Sequence, residues 1–227
     1  RDVVFRNNLT AVSDLHDEAR FGAFERNVFT GNRHALRVRA GVFAALGRDN
    51  ELADRVEIVG GVVKHSGTFP KTKLPIHVLE PITVAGDGAE VATLTLTKGA
   101  ELRFAPKTWL EIGTTGPAEL LARGVLFTSD REHPRPGDWV GLFFGERSRH
   151  ALVADSRIEW AGAEEHGGDA AVTFVGPKSW QALDVTFQQV SFRGIAQAHF
   201  SSNGDGCNKA LDPRHGIAWA GFLEPCR

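Results

Sequence analysis

The chain has no Met, no Tyr and only two Cys. Without Met, residue 1 is not a translation start, so the chain is expected to be processed or cut from a longer protein. No apolar run approaches the roughly 20 residues that cross a bilayer, which excludes a membrane-spanning helix. No signal segment is present, although one could have been removed. The net charge is −2 and the basic residues are scattered. Without a Lys/Arg block, the electrostatic footprint of a nucleic-acid binder is missing. Gly-rich phosphate loops, zinc-ligand spacings, serine elbows and kinase signatures are also absent.

Cys207 and Cys226 lie near the C-terminus in polar, turn-rich contexts, "NGDGCNKA" and "FLEPCR". They are expected to form a disulfide. The loop it closes, about 20 residues, would be worth roughly 3 kcal/mol. A disulfide favours an oxidising compartment, hence a secreted or cell-envelope location.

The 227 residues include 25 Gly and 15 Phe, and 42% are apolar. A domain of this size buries roughly 70–75% of its unfolded surface. Its core therefore needs no metal. Short apolar runs recur along the chain, among them "ALRV" (35–38), "VEIVGGVV" (56–63), "IHVL" (76–79), "TLTLT" (93–97), "ELRF" (101–104), "WLEI" (109–112), "VLFTS" (125–129) and "AAVTFV" (170–175). Each is bounded by Gly, Pro, Asn or Asp, which is a strand-turn rhythm. An antiparallel sandwich or barrel fits this rhythm, as does a parallel β-helix. Asn-Gly hairpin turns are nearly missing, with one at Asn203-Gly204. The strands are short and the turns vary in length, which favours the β-helix. At roughly 22 residues per coil the chain would make about ten coils, some 45–50 Å long. A helix is considered only in 12–29, where a long polar loop is the preferred reading.

Three segments carry a resemblance. "FERNVFTGNRHALRV" is similar to the coil signature of right-handed parallel β-helix repeat proteins, F-x-x-N-x-F-x-x-N before a short apolar strand. "LTLTKGAELRF" resembles their strand, Gly turn and second strand. "VLFTSDREHPRPGDWVGLFF" followed by "LVADSRIEWAG" resembles their F-T-S strand, loop, Gly-Asp-Trp-x-Gly strand and I-E-x-A-G strand. The resemblance implies an all-β, single-stranded right-handed parallel β-helix of the pectate-lyase-like superfold, three short strands per coil. It would span 1–227 as one domain, with 201–227 as a C-terminal cap. Many relatives of this kind look like exported bacterial proteins, and many have no established activity.

The loop between Phe127 and Trp139 is then a corner excursion between two core-facing residues. Pro134 and Pro136 would stiffen it and keep it out of a sheet. Its polar cluster, Asp130, Arg131, Glu132 and His133, is the candidate ligand-contacting loop. The densest group of carboxylates and His is "AEEHGGDAAV" (163–172). Glu165, His166 and Asp169 are the candidates there for acid/base chemistry. Side chains of a contiguous run point opposite ways in an extended chain, so a solvated corner loop is preferred. The strand-borne acids Glu57, Glu101, Glu111, Asp155, Glu159 and Asp184 are expected to stand isolated. No cofactor or metal is assigned, although the Asp-Gly turns "AGDGAE" and "NGDGCN" have the chemistry to hold calcium. The expected function is a non-enzymatic exported or cell-surface scaffold that presents loops to a glycan or protein partner. A polysaccharide lyase or glycoside hydrolase, and a structural segment of a larger fibre, are the alternatives. An enzyme would show acids grouped with Arg, Lys or His in adjacent coils on one face.

Overall fold

The computed structural model describes residues 1–16, 24–165, 170–175, 184–202 and 217–220. The expected disulfide, Cys207–Cys226, lies outside the described residues, as does most of the expected C-terminal cap. The described chain is all-β. Its strands form three sheets, and every paired strand is parallel to its neighbour. This architecture is consistent with a parallel β-helix-like fold.

The six-stranded sheet stacks Gly67–Phe69, Ala92–Leu96, Ala118–Arg123, Ala151–Ala154, Val185–Gln188 and Ile217–Ala220 in chain order. The twelve-stranded sheet begins with Thr10–Asp14, His34–Val38, Arg55–Val63 and Ile76–Val84. It then forks. The first half of Ile76–Val84 continues into Glu101–Phe104, Leu126–Ser129, Arg157–Glu159 and Ser191–Arg193. Its second half continues into Trp109–Ile112, Gly141–Gly145, Ala170–Val175 and Ala198–Ser202. A three-stranded sheet of Val4–Arg6, Val28–Thr30 and Glu51–Leu52 completes the N-terminal part. The first branch is eight strands deep among the described residues, about 34 Å at the usual strand spacing. Among the described residues the offset between paired residues is not constant, unlike the steady spacing of roughly 22 expected. It grows from 20 residues, Val56 to Ile76, to 34, Arg157 to Ser191. The extra residues lie at the corners.

Alternation fixes which side chains face inward. Ala92–Leu96 shows it plainly, with Ala92, Leu94 and Leu96 buried and Thr93 and Thr95 half-buried. Parallel pairing in register then stacks like on like. Leu36, Val56, Ile76, Leu102, Phe127 and Ile158 make one inward column. Val38, Ile58, Val78 and Phe104 make the next. Phe5 stacks on Phe29 with ring centres 4.6 Å apart. Phe127 and Trp139 are both fully buried, and Trp139 lies flat on Phe104 at 4.2 Å. Gly141–Gly145 is buried along its whole length, so both its faces are covered.

The helical turn among the described residues is at Ala40–Ala44; of the segment 12–29, residues 17–23 lie outside the described residues, and its two ends belong to the strands Thr10–Asp14 and Val28–Thr30. The turn buries Ala40, Val42, Phe43 and Ala44, and the Phe43 ring meets Phe69 edge-on at 4.9 Å. A Cβ on Gly67 would sit 2.4 Å from the Ala44 carbonyl oxygen. The helix therefore lies directly against the end strand of the six-stranded sheet and blunts its edge.

Candidate functional site

The outward positions of the twelve-stranded sheet's first branch form a row of polar side chains. Ser13, Arg37, Glu57, His77, Arg103 and Thr128 occupy the same register position on six successive strands. Each sits between two inward residues, as Glu57 does between Val56 and Ile58. Neighbours along such a row are about 4.8 Å apart. Glu57, His77 and Thr128 are buried, although they face away from the core.

Each acid in this region meets a base. The Arg55 Nε donates to Glu57 Oε1 at 2.8 Å. Arg37 approaches the other Glu57 oxygen at 3.8 Å, and His34 lies 3.4 Å from Oε1. Asp130 leaves the end of Leu126–Ser129 and reaches back past the Arg103 strand to His77, at 2.5 Å. Its second oxygen lies 3.8 Å from Arg55. Arg103 donates to Glu101 at 2.7 Å. A carboxylate accepts only, so the bond to Asp130 places a proton on His77 Nδ1. The cluster thus links Glu57 and Arg55 of one strand, His77 of the next and Asp130 of the loop after Leu126–Ser129, with Arg103 on the strand between.

The loop that supplies Asp130 is tied from within. Asp138 is buried and accepts from Ser129 Oγ and from the Arg135 N–H, both at 2.8 Å. Arg131 reaches its other oxygen at 3.2 Å. The Trp139 indole N–H donates to the Glu159 carbonyl at 2.8 Å. Of the four loop candidates, then, only Asp130 joins the polar row. Arg131 belongs to the loop's own knot, and Glu132 and His133 are exposed on its rim.

Of the second candidate group, only Glu165 is among the described residues. Glu165 pairs with Lys107 at 2.8 Å on the surface, and that bond holds the Lys107 ammonium above its ordinary pKa. His166 and Asp169 lie outside the described residues. Among the described residues, no three His, Cys, Asp or Glu side chains gather in a way that could hold a metal ion. The strand acids have partners of their own. Asp155 pairs with Arg123 at 2.7 Å, Asp184 with His150, and Glu111 accepts from the Trp109 indole at 3.1 Å.

No family model, curated protein or solved structure matches this chain. The likeness to β-helix proteins therefore rests on the motifs and on the parallel topology. The row was missed as a site, although its signal is in the sequence. Leu36-Arg37-Val38, Val56-Glu57-Ile58, Ile76-His77-Val78 and Leu102-Arg103-Phe104 are four apolar-polar-apolar triplets, the first three spaced by twenty residues.

Proposed function

We propose that this chain is a right-handed parallel β-helix with three strands per coil, exported or held at a cell surface. We further propose that the Arg37–Glu57–His77–Arg103 row, with Asp130, is its binding face for a glycan. The successive parallel crossovers support the handedness, since such connections are right-handed in about 98% of cases. The observation that carries the binding reading is the alternation along the row. Cationic, anionic and imidazole groups follow one another in register; Glu57 and Arg103 are each held by a partner two residues away on their own strand, and His77 by Asp130 from the loop after Leu126–Ser129. Such a row offers preorganised donors and acceptors to the hydroxyl and carboxylate groups of an extended sugar chain. The acids are occupied by bases, which suits recognition better than acid catalysis.

A glycan array followed by calorimetric titration tests this. The combined Arg37→Ala and Arg103→Ala variant is expected to bind at least about tenfold more weakly, as loss of one charged hydrogen bond predicts. Unchanged binding, or no glycan bound at all, overturns the reading.

One observation favours a second reading, a polysaccharide lyase or glycoside hydrolase. His77 is held through Nδ1 by Asp130, the arrangement that orients an imidazole as a general base, with Arg103 next in the row. Incubation with acidic polysaccharides would then release new chain ends, and His77→Gln would abolish the release.

A further inference from the structure

The polar row does not end at Thr128. Phe127 pairs with Ile158, so Glu159 follows Thr128 at the same register position, and Glu159 pairs with Arg193. From Arg37 onward the row is Arg37, Glu57, His77, Arg103, Thr128, Glu159 and Arg193, one residue from each of seven successive strands. Its arginines recur at every third strand. Three strand spacings separate Arg37 from Arg103, and three more separate Arg103 from Arg193, about 14 Å each.

The arginines also protrude beyond the residues between them. The side chains of Arg37 and Arg103 are 50% and 40% exposed, and Arg193 is exposed too. Glu57, His77 and Thr128 are buried, and the Glu159 side chain is 12% exposed. Each arginine keeps donors for a ligand. Arg37 and Arg103 turn Nε toward Glu57 and Glu101, at 3.8 and 2.7 Å, and a guanidinium has five N–H donors. The Arg193 guanidinium lies over the Trp160 ring at 5.3 Å, a contact that steadies the cation without consuming its N–H groups. The recessed acids already have arginines of their own. Arg55 Nε donates to Glu57 at 2.8 Å, and Arg157 lies 3.9 Å from Glu159, each two residues away on the same strand.

Positive charge is thus offered at every third level of the row and withheld between. We infer that the ligand is an extended acidic polysaccharide with one carboxylate for every three sugars, a pattern set by Arg37, Arg103 and Arg193. This rests on the reading of the row as a glycan face. An extended pyranose chain advances by roughly one strand spacing per sugar, so about seven sugars laid along the stack span Arg37 to Arg193. The first, fourth and seventh sugars then lie over the arginines, where a carboxylate accepts from the guanidinium fork. The second and sixth lie over Glu57 and Glu159. A carboxylate there meets an acid whose arginine is already taken, so it weakens binding. The third and fifth lie over His77 and Thr128, which suit hydroxyls. The row therefore selects a sparse pattern of charge and discriminates against a chain that is acidic at every sugar.

The probes are three synthetic β-1,4-linked heptasaccharides of glucose, carrying glucuronic acid at the first, fourth and seventh sugars, at every sugar, or at none. Each is titrated into the whole chain by calorimetry. The first is expected to bind one to one and at least about tenfold more tightly than either of the others, as one charged hydrogen bond in excess predicts. Arg193→Gln is expected to weaken the first chain about tenfold, and Glu159→Gln to tighten the fully acidic chain severalfold. If the fully acidic or the neutral chain binds the parent protein as tightly as the first, the three-strand spacing selects nothing. The inference is then overturned while the glycan face stands. Unchanged affinity of Arg193→Gln for the first chain, or of Glu159→Gln for the fully acidic one, also overturns it. If none of the three binds and no glycan on the array does, the glycan face itself fails and takes the inference with it.

Discussion

At the scale of single residues, two positions hold more than their size suggests. Asp138 gathers Ser129, Arg135 and Arg131, and so fixes the loop that delivers Asp130 to His77. Asp138→Ala leaves the Ser129 hydroxyl and the Arg135 N–H without their acceptor, at a cost of about 1–3 kcal/mol. The exposed Arg131 pair adds little. Thermal unfolding is expected to show the loss, and the His77 imidazole resonances to shift as Asp130 drifts away. Unmoved His77 signals would mean that Asp130 does not depend on the knot. Gly194 is the other position. Its φ is 60°, and a Cβ there would lie 2.1 Å from the Trp160 ring, which Arg193 covers from 5.3 Å. Gly194→Ala adds a left-handed penalty to a clash with the half-buried Trp160 ring, about 2–4 kcal/mol together. A melting temperature within a degree of the parent would refute that estimate. The role of Asp138 was partly legible, because Gly-Asp after two prolines reads as a turn. The partnership of Asp130 with His77 was not, since 53 residues separate them.

At the scale of elements, legibility followed side-chain chemistry. Short runs with an aromatic residue between Gly and Pro, such as "ELRF" and "WLEI", appear as strands at Glu101–Phe104 and Trp109–Ile112, as the sequence suggests. Ala118–Arg123 was missed. Its "AELLAR" is made of helix formers, and only the burial pattern shows period two, with Ala118, Leu120 and Ala122 inward. Here, pairing with Ala92–Leu96 on one side and Ala151–Ala154 on the other overrides propensity. The helix at Ala40–Ala44 was missed for the opposite reason. It is too short to show a helical period, and it forms by packing four buried side chains. The asparagine ladder is the element most open to test. Asn32 is buried and donates to the Phe5 carbonyl and Asp54 while accepting twice from Asn8. Asn32→Ala strands several of these groups at once, an expected cost of about 2–4 kcal/mol. Hydrogen exchange should quicken at Val4–Arg6 and Thr10–Asp14 well before it does at Glu101–Phe104. Uniform quickening would show that the ladder serves the whole molecule rather than its N-terminal end.

At the scale of the whole molecule, stability is graded along the stack, because each parallel strand depends on the strands above and below it. The all-β class and the parallel pairing were legible from short runs without hairpin turns. The spacing between paired strands was not, since the segments between them lengthen from an offset of 20 residues to one of 34. The N-terminal level is paired on one side only, and an exposed ion pair fastens its start. Arg26 donates twice to Asp2, at 2.8 Å each, and these bonds hold the Asp2 carboxyl below its ordinary value of 3.8. A depressed carboxyl stabilises the folded state above its unfolded pKa, and that contribution is lost as pH falls through the folded value. Acid should therefore loosen this end first. Exchange protection at residues 4–6, corrected for intrinsic rates, is expected to fall below pH 3.8 while that of Leu102 and Phe127 in the middle of the stack holds. Asp2→Asn should remove the pH dependence and leave the end loose at neutral pH as well. If wild type and Asp2→Asn lose protection along the same acid curve, the N-terminal level is fastened by its asparagines and its Phe5–Phe29 stack alone, and the ion pair is a bystander.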